Sequence, residues 1–332
     1  MAVIITLPSS MISLHLSRDR VRSLLALGLA VAYGTFLAVL PLEVFKDRYN
    51  YLTYASVAPL ILEQRMAEGL LPLLSNEPVW LLLNSLLGMV FSPETVVRLL
   101  IFLPATVIAW LTLRNHKGWM GWVLIFLFFP AVIKNYIIHL RQGVAIAFFL
   151  CGWYALRPSW RGVTWFITPF IHASFFFVLL VYGMVHVAKR LHLAIDLRSV
   201  IILGVAIGIT LCLPSIVAGV GARQSFEYNL LETEVTGLGF LFWLFIFAIF
   251  VCQNRQFLQH HAFEVATVIF YLGMYFWGAI SARVFESTLI LVLLSGLSLT
   301  KHWRFVFLAM ISSFMFLDYY LRISESWLGW GV

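Results

Sequence analysis

Read for hydrophobicity alone, the chain is a succession of apolar runs parted by short polar joins. The runs cover 24–40, 79–91, 96–113, 119–133, 144–156, 163–187, 199–220, 238–252, 265–280, 284–299 and 305–321. A bilayer core of about 30 Å asks for roughly 20 consecutive apolar residues per spanning helix. Only helices and closed barrels satisfy their backbone groups in lipid, and the strict alternation of a membrane barrel is missing here. The pattern predicts an all-α fold: a polytopic integral membrane helical bundle of about ten to eleven membrane segments, one domain over 1–332.

Two runs do not read as simple spans. Run 79–91 makes a helix of about 20 Å, short of the hydrocarbon thickness. Ser92 and Pro93 then supply a cap and first turn for a new helix. The segment 79–91 is predicted to be re-entrant or interfacial. In 163–187 the stretch WFITPFIHASFFF carries Pro169, which removes a backbone donor and kinks a helix. A broken helix is predicted there, crossing once or turning back as a hairpin. Non-helical backbone at membrane depth is tolerated where it is buried or lines a cavity, so this break marks a candidate site.

Basic residues collect in the joins at 18–22, 114–117, 157–161, 189–198 and 301–304. By the positive-inside bias these joins are cytoplasmic. The N-terminal stretch 1–22 is then cytoplasmic, 43–78 is a long external loop, and 322–332 is an external C-terminus. The polar joins at 135–142, 223–236 and 281–286 also fall outside.

Composition agrees with the membrane class: 62% hydrophobic and 11% charged residues over 332 positions, with a mean hydropathy of +0.95. The net charge of +7 follows from the basic joins, and no nucleic-acid partner is expected. Cys151, Cys212 and Cys252 sit in apolar runs without metal or redox spacing and read as small buried hydrophobes. The run after Arg18, Arg20 and Arg22 is long enough to stay as a span, so no cleavable signal peptide is expected.

Candidate chemistry lies where polar residues interrupt this apolar background. In NYIIHLRQG, a single helix over 135–143 would put Asn135, His139 and Gln142 on one face and Arg141 on nearly the opposite side. Either the helix breaks or the two cationic groups serve different partners. Arg141 and Arg283 both fall on the external side, and guanidinium is the fork that best fits phosphate oxygens. Two such groups point to a bound dianion, a lipid pyrophosphate being the natural candidate. In SARVFES, Arg283 and Glu286 share a face and would otherwise simply pair with each other. His172 beside Pro169 can hold a phosphate or sugar hydroxyl, or serve as a structural donor. The segment 43–78 mixes carboxylates with tyrosines, which suits carbohydrate, and Asp47 and Glu77 lie nearest a membrane re-entry. Asp318, Tyr319, Tyr320 and Arg322 mark the external end of the last run, as site residues or as an aromatic belt. No P-loop, zinc helix, dinucleotide fingerprint or nucleophile elbow occurs.

Five short elements recur in a recognisable order: D-x-Y at 47–49, EP at 77–78, RQGVAIA at 141–147, IHAS at 171–174 and R-x-F-E at 283–286. In that order the chain resembles the EpsG family, a branch of the Wzy-type polymerases of bacterial surface polysaccharides. The resemblance implies a lipid-dependent membrane glycosyltransferase in the bacterial inner membrane, with its active site facing the periplasm or exterior. It would move a growing glycan from undecaprenyl pyrophosphate onto another lipid-linked oligosaccharide repeat unit. Its partners would be those lipid-linked oligosaccharides and membrane lipids, with room for a chain-length regulator. The donor is already activated, so no cofactor and no metal are expected. On this reading Asp47, Glu77 and His172 are the catalytic candidates. Arg141, Arg283, His139, Gln142, Glu286, Tyr49, Asp318 and Tyr319 bind pyrophosphate and sugar. An integral-membrane acyltransferase acting on a surface polysaccharide is the first alternative, and a lipid-linked sugar flippase the second.

Overall fold

The computed structural model describes residues 18–219, 237–277 and 279–332. The external join expected at 223–236 and most of the N-terminal stretch 1–22 lie outside the described residues. Regular structure among the described residues is helical, apart from a single bridge between Phe45 and Gly331. The frame is an antiparallel pair, α1 (Arg18–Ala38) and α5 (Pro93–Asn115). Arg98 donates to the Ala38 carbonyl at one end of the pair, and Lys117 lies 3.8 Å from Asp19 at the other.

Between these two helices the chain builds α2 (Arg48–Glu68), α3 (Leu70–Ser75) and α4 (Pro78–Gly88). The expected loop over 43–78 is therefore corrected to helix. Pro59 and the scattered tyrosines of α2 hide its helical period, but four buried residues, Arg48, Tyr51, Ala55 and Ala58, fall on one face. That face packs on α4 and α5.

Chain breaks shape the next part. The run 119–133 divides at Phe128 and Phe129 into α6 (Met120–Leu127) and α7 (Pro130–Ile137), which differ in direction by 70°. Pro130 opens the second helix, where its missing N–H costs nothing. A further break at Ile138 and His139 precedes α8 (Leu140–Leu150), so 135–143 is not one helix. The run 163–187 parts as α9 (Pro158–Ile167), a short 3₁₀ turn over Thr168–Phe170, and α10 (Ser174–Arg190).

The remaining helices are α11 (Ile195–Gly219), α12 (Gly237–Val251), α13 (Arg255–His260), α14 (Ala262–Met274), α15 (Ala279–Glu286), α16 (Leu289–Ser295) and α17 (Lys301–Arg322). Among the described residues four helices are long and apolar enough to cross a membrane: Asp19–Val39, Pro93–Asn115, Ile195–Cys212 and Lys301–Arg322. The bent pair α6 and α7 makes a fifth span if counted as one. That replaces the ten to eleven segments read from the sequence. Apolar runs mark burial in protein as well as in lipid. All seven residues of α16 are buried, as are nine of the first ten or so of α14, so these runs serve the protein core.

The basic joins gather at one end. Lys117 reaches Asp19, Arg304 lies over the Trp119 ring at 4.6 Å, and His116 meets the edge of Tyr154 ahead of Arg157. At the opposite end the chain after α17 folds back on 44–46. Val332 N–H donates to Val44 O, and Lys46 N–H to Trp330 O.

Candidate functional site

The end opposite the basic joins carries a buried polar layer, and helix breaks create it. Glu77 occupies the left-handed region (φ 58°) just ahead of Pro78, the first residue of α4. A non-glycine residue held there is strained, and such strain collects at functional positions. The conformation seats the Glu77 carboxylate against three donors: the Arg141 guanidinium, His172 Nδ1 at 2.9 Å and the Ala173 N–H at 3.2 Å. The break at Pro169 frees that last N–H at the start of α10, where a helix's orphan donors and dipole favour an anion. Arg141 also lies over the Tyr54 ring, 5.8 Å from its centre.

Glu77 lies outside the spanning helices, so its charge can be judged from its neighbours. Burial alone would raise its carboxyl, but Arg141, His172 and the Ala173 N–H hold it below the ordinary carboxylate range. A carboxylate so satisfied is a weak base. It orients Arg141 and His172. His172 Nε2 is buried without a hydrogen-bond partner among the described residues.

A second row of polar groups continues the layer. Gln142 Nε2 donates to the Arg283 carbonyl at 2.8 Å and to Ser287 Oγ at 3.1 Å, and Ser287 meets Ser174 Oγ at 2.9 Å. This row ties α8, α10 and the α15–α16 corner together. Gly143 permits the tight return of α8 on α7, since a Cβ there would collide with the Asn135 carbonyl oxygen.

Beside the layer lies a cavity of about 360 Å³, within the size range of small-molecule sites. Its walls come from α7, α12, α14, α15, α16, α17 and the C-terminal turn. Trp243, Tyr271, Phe285, Phe314 and Trp330 supply aromatic faces, and Lys134, Glu286, Asp318 and Arg322 supply charge. Tyr271 and Phe285 stack 4.2 Å apart, with Trp243 edge-on to Phe285. Lys134 Nζ is 2.5 Å from Glu286 Oε1, and Arg322 Nε is 3.1 Å from Asp318 Oδ1. His139 lines the cavity from the α7–α8 break, within electrostatic reach of Lys134, Arg283, His172 and Arg141. His139 thus joins the cavity to the polar layer.

Several expected site residues are therefore brought together: Glu77, Arg141 and His172 in the layer, Gln142 and the Arg283 carbonyl beside them, His139, Glu286 and Asp318 in the cavity wall. Others fall elsewhere. Asp47 and Tyr49 are exposed at the start of α2, because Asp47 takes the left-handed turn that opens the helix and Arg48 between them points inward. Tyr319 donates its hydroxyl to the Phe128 carbonyl at 2.6 Å and packs near Trp330, outside the cavity lining. Arg141 and Arg283 do not line the large cavity together; Arg141 lines a smaller cleft with Tyr54, Arg65, Asn76 and Glu77. Glu286 pairs with Lys134 rather than with Arg283.

Sequence reasoning missed Lys134, Arg48 and Tyr51. Lys134 follows Pro130 by one helical turn, and that proline was the signal for a turn inward. Arg48 and Tyr51 stand one turn apart in α2 and hold the α7–α8 break. Among the described residues no three His, Cys, Asp or Glu side chains group as metal ligands. Compared with protein-family models, curated proteins and solved structures, the chain matches none of them.

Proposed function

We propose that this chain is a polysaccharide polymerase of the Wzy type. It transfers a growing glycan from undecaprenyl pyrophosphate onto a second lipid-linked repeat unit, at the external face of a bacterial inner membrane. The observation that carries the reading is the cavity beside the His139 break, walled by aromatic rings and by cation–carboxylate pairs within an apolar helical bundle. Aromatic faces stack on sugar rings, cations hold the pyrophosphate leaving group, and a carboxylate in reach can take the acceptor proton. The reaction needs no nucleotide because the donor is already activated.

Orientation follows from the gathered basic joins, which favour the cytoplasmic side and leave the cavity outside. Short apolar helices such as α4, α12, α14 and α16 would complete the membrane domain as partial or buried segments around the site.

One observation favours a second reading. Glu77 holds His172 by Nδ1 and leaves Nε2 without a partner among the described residues, an arrangement that would serve a base in acyl transfer to a sugar hydroxyl. Gene deletion in the source bacterium, followed by sizing of the lipid-linked and surface glycans, separates the two. Loss of a polymerase leaves single repeat units on the lipid. Loss of an acyltransferase leaves long chains lacking acyl groups, and loss of a flippase leaves no external units.

A further inference from the structure

Lys134 and Glu286 form the tightest charged contact in the cavity wall, and the pair is lopsided. Glu286 is only 7% exposed by its side chain, against 25% for Lys134. Lys134 holds one carboxylate oxygen, Oε1, while Oε2 is buried with no hydrogen-bond partner among the described residues. A buried carboxylate oxygen without a partner is costly, so something other than stability accounts for it. The neighbouring carboxylate differs: Asp318 is 23% exposed and pairs with Arg322 one turn along its own helix, an ordinary helix-surface pairing.

Building on the polymerase reading above, we propose that Lys134 and Glu286 act by ion-pair exchange. The pyrophosphate of the incoming donor takes Lys134 from Glu286, and the released carboxylate becomes the base for the acceptor hydroxyl. Burial already raises the Glu286 carboxyl above its ordinary value, with Lys134 and Arg283 offsetting part of that rise; without Lys134, in the same buried setting, its affinity for a proton rises further. Base strength is therefore coupled to the presence of the donor.

The step balances. The acceptor O–H bond breaks and its proton passes to Glu286 Oε2, giving a carboxylic acid. The acceptor oxygen forms the new bond to the anomeric carbon of the donor glycan. The bond from that carbon to the pyrophosphate oxygen breaks, its electron pair stays on the pyrophosphate, and Lys134 stabilises the added negative charge. When the lipid pyrophosphate leaves, Lys134 returns to Glu286 and the proton passes to water.

The test uses the purified full chain in detergent, with farnesyl pyrophosphate as probe and the fluorescence of Trp243 and Trp330, both in the cavity wall, as the binding signal. Lys134→Met should weaken binding at least about tenfold, as loss of a charge-assisted hydrogen bond does. Lys134→Arg should stay within a few fold of the parent, which also reports correct folding. Glu286→Gln should bind as tightly as the parent or more tightly, because it no longer holds Lys134. Infrared difference spectra on adding the probe should show a new carboxylic-acid carbonyl band that Glu286→Gln lacks. On a synthetic lipid-linked repeat, Glu286→Gln should lose about a hundredfold or more in kcat with little change in KM, the scale of a lost general base. Undiminished probe binding by Lys134→Met, a missing acid band, or parent-like turnover by Glu286→Gln each overturns the exchange. If the parent polymerises nothing, the polymerase reading fails, while the binding and infrared results still decide the exchange.

Discussion

The phenolic oxygen of Tyr51 accepts the backbone N–H of Leu140 at 3.1 Å, across 89 residues of sequence. One turn earlier on α2, Arg48 Nε donates to the Ile137 carbonyl at 2.6 Å. Together the two side chains take up one donor and one acceptor that the α7–α8 break leaves outside regular helix. The break is what carries His139 to the cavity and Arg141 to Glu77. Its geometry therefore depends on α2, the same helix that sets Tyr54 beneath Arg141.

Tyr51→Phe removes this bond, and with it the hydroxyl's interaction with Arg141, while the edge-on contact of its ring with Trp80 survives. A buried N–H left without a partner costs about 1–3 kcal/mol. The variant should unfold earlier in detergent by that amount and, on the polymerase reading proposed above, lose polymer yield through a displaced His139. Denaturation of purified parent and variant checks it, and an unchanged midpoint would remove Tyr51 from the clamp.

Removing the carboxylate charge at Glu77 should be worse than removing the whole pair. Glu77→Gln strands the Arg141 charge in a largely desolvated place, a loss of about 3–5 kcal/mol when one partner of a buried pair goes. The double variant Glu77→Gln, Arg141→Met should recover part of it, since no charge is then left alone. The pH dependence has a definite sign. The folded carboxyl lies below its ordinary value of 4.5, so its contribution is fully present above that value. It is lost as pH falls from there towards the lower folded value. The parent should therefore lose stability below about pH 4.5 with an acid slope that Glu77→Gln lacks. Equal acid slopes in both proteins contradict the assignment.

Gly143→Ala tests the close return of α8 on α7. Alanine improves helix propensity by about 1 kcal/mol, but the added methyl meets the Asn135 backbone oxygen, which cannot rotate away. Overpacking of this kind costs about 1–3 kcal/mol, so the variant should be the less stable protein. Melting in detergent reads the sign directly, and a stabilised Gly143→Ala would mean that the two helices have room to part.

Much of this site was legible because its residues are out of place in apolar sequence. Arg141, His172 and Glu286 stand beside runs in which charge is expensive, and Pro169 announces its break. The partners were less legible. Lys134 near the end of an apolar run reads like a cation at the membrane edge, and only the 70° turn at Phe128 and Phe129 brings it into the cavity wall. Tyrosines and carboxylates made 43–78 look like a loop, whereas the buried Arg48 and Tyr51 show α2 to be half inside the protein. Asp47 is the converse case. Its acidic side chain suited chemistry, but its backbone serves a left-handed turn and its side chain stays in the open. The number of apolar runs overstated the number of spans, because α14 and α16 are as apolar as a membrane helix while being buried in protein.

Sidedness is the last expectation, and three positions decide it. Lys117 lies beside Asp19 at the basic end of the bundle, with Arg304 over the adjacent Trp119 ring. Glu325 follows α17 at the other end, next to the turn that covers the cavity. Met89 closes α4, an 11-residue helix of about 16 Å, too short to cross a hydrocarbon core. Soon after it, α5 begins beside the end of α1, where Arg98 meets the Ala38 carbonyl. Both ends of α4 therefore belong to the cavity end of the bundle, and the expectation is a helix that enters and leaves on one face of the membrane. With Cys151, Cys212 and Cys252 replaced by Ala, single cysteines at the three positions are exposed to a membrane-impermeant maleimide in intact cells. Glu325→Cys and Met89→Cys should label from outside, and Lys117→Cys only after the membrane is opened. External labelling of Glu325→Cys and Lys117→Cys, with Met89→Cys labelled only after the membrane is opened, would make α4 a crossing segment and put its two ends on opposite faces. External labelling of Lys117→Cys alone would turn the whole bundle over, and the cavity could not then meet lipid-linked glycans outside the cell.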